Sequence, residues 1–97
     1  MTFDRINPIT GAIASTAPAM KAADIGPIAE RAAAAFPAWA ATGPNARRAI
    51  LNKAAAALEA RKDAFVEAVM SETGGTAGWA MFNLGLAVGV VREAAAM

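Results

Sequence analysis

Twenty-nine of the 97 residues are alanine. Alanine is the strongest helix former and loses no side-chain entropy on folding, yet it buries little surface. It makes up about half of the 57% of the chain that is apolar. Larger anchors are few: four Phe, two Trp and five Met, with a modest set of Leu, Ile and Val. At roughly 25 cal/mol per Å2 of apolar burial, a core built from such residues is thin. Helices are expected to form readily here and to lean on something else for stability. The length suits one small domain, not two. No Ser- or Gly-rich linker divides the chain and no internal repeat is evident, so residues 1–97 read as a single domain.

There is no cysteine and no histidine. Disulfides, thiolate nucleophiles and Cys-ligated zinc or iron–sulfur sites are therefore excluded for this stretch of chain. The commonest general base and metal ligand is missing as well. Lys and Arg number 9 and Asp and Glu 8, for a net charge of +1 without a basic block. That balance argues against nucleic acid as a partner.

Residues 2–19 lack helical period. Asn7-Pro8 initiates a turn that Thr10-Gly11 completes. Two short strands are expected, near residues 3–6 and 12–17. A helix is expected from Asp24 to Phe36, with Asp24 as its N-cap and Pro27 in its first turn, where a missing N–H is tolerated. Pro37 is expected to stop it. Thr42 is the candidate cap of a further helix over 44–61, with Pro44 in the first turn and Ile50, Leu51, Ala54, Ala55 and Leu58 as the apolar face. Arg61-Lys62-Asp63 interrupts that pattern, and Asp63 is a candidate cap for 62–73. One bent helix and two in series both remain open, because Leu51, Leu58 and Phe65 keep a seven-residue spacing across the break. Gly74-Gly75 ends this stretch, and Thr76 starts a last helix over 76–97.

Between Glu72 and Arg92 lie 19 uncharged residues, near the length of a bilayer span. Gly74/Gly78 and Gly85/Gly89 have the spacing that packs membrane helices closely. Against a span stand the two glycines at its start, the central Asn83, the many Gly and Ala positions, and the lack of a Lys/Arg cluster at one end. A buried helix of a soluble protein is the better reading. Asp4 and Arg5 interrupt the amino terminus and no apolar stretch follows, so no signal peptide is expected, and the expected location is cytoplasmic.

Little here reads as chemistry. Glu30, Arg31 and the Glu59/Arg61/Lys62/Asp63 group look like solvated charge. Glu67 and Glu72 are carboxylates without an obvious partner. Gly74-Gly75-x-x-Gly78 opens a helix, but it lacks the Lys-Ser/Thr of a phosphate loop and no strand precedes it. The one suggestive pattern is Trp79, Phe82, Asn83 and Leu86, at i, i+3, i+4 and i+7 on one helix face. Core packing and an aromatic-lined ligand wall with one directional amide both fit it.

Several motifs in order resemble the aldehyde dehydrogenase superfamily. They are Asn7-Pro8-x-Thr10-Gly11 after a short strand, Ala35-Phe36-Pro37-Ala38-Trp39, Arg47-Arg48, Ala57-Leu58-Glu59-Ala60-Arg61 and Glu72-Thr73-Gly74. The string Thr76-Ala77-Gly78-Trp79-Ala80-x-Phe82-Asn83, followed by Arg92-Glu93-Ala94-Ala95, resembles the subgroup acting on salicylaldehyde, vanillin and benzaldehyde. The likeness runs from Phe3 to Met97. Departures from the family pattern include Ala12, Met20, Gly26-Pro27 and Gly75, which stands where alanine is commoner.

The resemblance implies an α+β fragment, mostly helical: an N-terminal β-hairpin, then three or four α-helices, forming a piece of the Rossmann-like α/β NAD-binding domain. It implies about the first fifth of an NAD- or NADP-dependent enzyme that oxidises aromatic aldehydes to acids. The catalytic Cys, general-base Glu, oxyanion-hole Asn and cofactor glycines of the family have no matching positions here. The segment is thus expected to be inactive alone and to bind no cofactor or metal alone. The implied substrate-binding residues are Trp79, Phe82, Asn83 and Leu86, of which Phe82 and Leu86 match tunnel-lining positions. The implied partner is the remainder of an aldehyde dehydrogenase chain, or a second copy through self-association. The alternatives are a small helical interaction protein and, less well supported, a single-pass membrane protein.

Overall fold

The computed structural model describes every residue from Met1 to Met97. Two strands, β1 (Thr2–Ile6) and β2 (Ile13–Pro18), pair antiparallel, with Arg5 opposite Ser15 and a register irregularity between Arg5 and Ile6. The turn between them is built by Asn7. Its Oδ1 accepts the N–H groups of Ile9 (2.8 Å) and Thr10 (3.1 Å), and its backbone closes onto Gly11 and Ala12. Gly11 adopts φ +74°, a conformation open to glycine at little cost.

Four helices follow: α1 (Ala22–Ala41), α2 (Pro44–Ala60), α3 (Lys62–Thr73) and α4 (Ala77–Ala96). The first is longer at both ends than the expected 24–36. Its N-cap is Lys21, not Asp24. Asp24 sits in the first turn, and its carboxylate reaches back to accept the Lys21 N–H at 2.8 Å. An acid near a helix start can be the returning arm of the cap as well as the cap itself. Pro27 and Pro37 both lie inside α1. No residue of α1 is buried, so water can solvate the carbonyls that each proline leaves unpaired, and the alanine run carries the helix past Pro37.

Thr42 closes α1 instead of capping α2: its hydroxyl donates to Ala38 O at 3.0 Å and its N–H to Trp39 O. Gly43 caps α2, and Pro44 takes the first helical position. The interruption at Arg61 (φ −101°, ψ 18°) separates α2 from α3, so the two run in series. Asp63 lies in the first turn of α3 without making a side-chain cap bond. Gly74 ends α3 in the left-handed conformation at φ +73°. Thr76 caps α4, its hydroxyl accepting the Trp79 N–H at 3.1 Å.

The core is a narrow seam where α4 lies along α2 and α3. Only Ala55, Ala80, Val88 and Ala95 are buried. The molecule measures 48 × 37 × 16 Å, with a radius of gyration of 17.1 Å, where a compact chain of this length comes to about 13 Å. Its accessible surface is 7103 Å2, against roughly 5,200 Å2 for a compact monomer of this mass. The thin core expected from the alanine content is therefore present as a flat, open slab. No helix is long and apolar enough to cross a membrane.

Candidate aromatic binding face

The seam consumes one side of α4. Ala80, Val88 and Ala95 recur along the inward side, while Trp79, Phe82, Leu86 and Val90 face out. The outward stripe is 55–61% exposed at each of these four positions. α4 is thus apolar on two sides, and only one of them is covered within this chain. Large apolar residues in contiguous exposed patches mark surfaces that meet something else.

The sequence-predicted site residues do come together. The Trp79 and Phe82 rings stack, with centroids 6.0 Å apart and planes 27° apart. Leu86 extends the same stripe one turn further on. Asn83 is half-buried, and its Nδ2 donates to the Trp79 carbonyl at 2.9 Å. That bond fixes the amide against its own helix and leaves Oδ1 as an acceptor. Together these residues offer a flat apolar wall with one acceptor at its edge, suited to an aromatic ring bearing a polar substituent.

Glu72, read from sequence as a carboxylate without a partner, has two. Ser15 Oγ donates to Glu72 Oε1 at 2.7 Å, and Arg5 Nε lies 3.7 Å from Oε2. Arg5 Nη1 also donates to Ser15 at 3.2 Å. The hairpin is clamped in this way to the end of α3, just before the turn into α4. The signal was non-local: Arg5 and Ser15 become neighbours only through strand pairing, and neither is close to Glu72 in sequence. Glu59, expected to be solvated, forms an exposed bidentate pair with Arg92 on α4. A cleft of about 310 Å3 lies at the far end of α4, lined by Trp39, Leu51, Arg47, Arg48 and Ala94 among others. Arg48 Nε there donates to the Ala95 carbonyl at 3.0 Å, satisfying one of the last carbonyls of α4.

The whole chain, residues 1–97, matches the family model described as the aldehyde dehydrogenase family. The chain belongs to the aldehyde dehydrogenase family. It is 48% identical over 96 residues to a vanillin dehydrogenase of Pseudomonas fluorescens, covering 99% of this chain and 20% of that protein. It is 35% identical to a salicylaldehyde dehydrogenase of Pseudomonas putida over the same shares. The crystal structure of a salicylaldehyde dehydrogenase from Pseudomonas putida G7, complexed with salicylaldehyde, superposes with a TM-score of 0.94 at 33% identity, over 99% of this chain and 20% of that one. The chain thus spans about one fifth of the length of these aldehyde dehydrogenases.

The residues of this segment do not form a dinucleotide cradle. The strands make a two-stranded antiparallel sheet, and α3 rather than a strand precedes the Gly74–Gly78 stretch. The Trp79 amide in the first turn of α4 is already taken by the Thr76 hydroxyl.

Proposed function

We propose that this segment is the N-terminal part of an NAD(P)-dependent aldehyde dehydrogenase that oxidises aromatic aldehydes to carboxylic acids, with the outward stripe of α4 as one wall of the substrate site. The observation that carries this reading is the stacked, exposed Trp79–Phe82 pair, continued by Leu86 on a face that nothing in the segment covers. The names of the vanillin and salicylaldehyde dehydrogenases support it: both aldehydes are flat aromatic rings, and both carry a ring hydroxyl. Trp79 and Phe82 hold the ring by apolar and ring–ring contact. Asn83 Oδ1 accepts from a ring hydroxyl, while its amide stays fixed on the Trp79 carbonyl.

The chemistry itself needs a thiolate to attack the aldehyde carbon before oxidation. This segment contains no cysteine, so the nucleophile, the cofactor site and the hydride acceptor come from the rest of such an enzyme. That remainder is the proposed partner, covering α1 and forming the walls of the substrate site that face the outward stripe of α4. The 97 residues contribute the hairpin, the helical layer and the ring wall, and are catalytically silent alone.

The test is a hybrid in which residues 1–97 replace the corresponding segment of the Pseudomonas fluorescens vanillin dehydrogenase. The expected result is a hybrid that oxidises vanillin with its cofactor, while the isolated 97-residue chain oxidises none. A folded hybrid without activity, or benzaldehyde oxidation by the isolated chain, overturns the proposal.

A further inference from the structure

The outward stripe of α4 runs on past the ring pair. Trp79 and Phe82 lie near its start, with centroids 6.0 Å apart. Leu86 and Val90 follow at helical spacing, each more than half exposed. At about 1.5 Å of rise per residue, Trp79 to Val90 spans about 16 Å, and Leu86 to Val90 supplies about 6 Å of it. A single benzene ring with its aldehyde group covers the Trp79–Phe82 end and leaves the Leu86–Val90 end bare. The polar groups are unevenly placed as well. Asn83 lies beside the ring pair, and from Leu84 to Val91 no side chain carries a polar atom. Glu93, an exposed carboxylate one turn beyond Val90, ends the apolar run. The stripe extends from the ring pair one way only. Before Trp79 the helix stops at its cap, Thr76, and the chain turns through Gly74 and Gly75 into α3.

We propose that Leu86 and Val90 form a subsite for an apolar substituent on the aromatic ring, with Val90 as its specificity-determining residue. The substrate class then extends to aromatic aldehydes that bear an alkyl chain. This rests on the ring-wall reading given above. With the ring against Trp79 and Phe82, a chain leaving it toward the C-terminal end of α4 runs over Leu86 and Val90. The occupant is apolar because this end offers no donor or acceptor: a polar substituent would give up water there and gain no partner. Each methylene laid on the two side chains removes apolar area from water and tightens binding, until Glu93 is reached. Continuity assigns this end to the substrate. It lies on the same face of the same helix as the ring pair, and neither a charged residue nor a break in the helix separates them.

The test uses the full-length hybrid enzyme with benzaldehyde and para-hexylbenzaldehyde, whose extended chain covers the Leu86–Val90 end. KM for para-hexylbenzaldehyde is expected to lie about tenfold below that for benzaldehyde. Val90→Ala is expected to shrink that ratio severalfold. So is Val90→Thr, which keeps the branched shape and adds a hydroxyl. If Trp79→Ala raises KM for benzaldehyde while neither Val90 variant moves the ratio, the subsite is overturned and the ring wall stands. A lowered Tm in Val90→Ala with the ratio unmoved also overturns the subsite, and assigns Val90 to packing against the rest of the enzyme. If Trp79→Ala leaves both KM values unmoved, the ring wall falls and the subsite with it.

Discussion

The two sides of α4 carry similar apolar character and meet opposite fates. The inward side is made of small residues, Ala80, Val88 and Ala95, and is buried against α2 and α3. The outward side is made of large ones, Trp79, Phe82, Leu86 and Val90, each more than half exposed. In an ordinary small domain the large residues fill the core, because burial scales with apolar area. Here small residues let the helices approach closely, and the large residues stay on the exposed side. α1 teaches the same lesson: it has 20 residues, none of them buried. Both are properties of a layer with uncovered faces rather than of a self-sufficient fold.

That contrast can be broken or sharpened by substitution. The largest effect is expected on the inward side. Ala55 is completely buried, and Ala55→Asp places an unpaired charge in the seam at a cost of about 3–5 kcal/mol. A denaturant midpoint in the hybrid enzyme that barely moves would show that the seam does not hold this layer together. Next is Gly74→Ala, which meets both the positive φ and the Pro8 contact. It should cost about 2 kcal/mol, read as a lowered Tm of the hybrid.

On the outward side the effect should fall on binding. Trp79→Ala is expected to raise KM for benzaldehyde about tenfold, the equivalent of roughly 1.4 kcal/mol, with little change in Tm. A Tm loss as large as that of the seam variants would mean that the stripe is core after all. Gly85→Ala adds a methyl group in open space within α4, and it should stabilise by up to about 1 kcal/mol through helix propensity. The smallest effect belongs to Glu59→Gln. Its pair with Arg92 is bidentate but about half exposed on both sides, so the loss should stay below roughly 1 kcal/mol and fade in high salt.

Much of the fold was legible because its determinants are local. The Asn7–Gly11 turn, the Gly74 stop and the Thr76 cap each depend on groups a few residues apart. Errors arose where two local rules compete. Asp24 can cap or return to a cap, and only the path of the preceding chain decides which. Pro37 breaks a helix when the carbonyl it orphans is buried, but α1 is open to water there. The face holding Trp79, Phe82, Asn83 and Leu86 was legible from helical spacing alone. Its being left uncovered was not, since spacing says which residues share a side and nothing about what lies against it.

The sequence by itself determined an alanine-rich run of helices after a hairpin, and the family to which they belong. Both are written in short-range patterns: propensity, caps, turns and the order of motifs. Only the tertiary structure decided which side of α4 is spent on the α2–α3 seam, and that Arg5 and Ser15 clamp Glu72. Those outcomes depend on distances between groups remote in sequence, set by strand pairing and helix packing, and no local pattern encodes them.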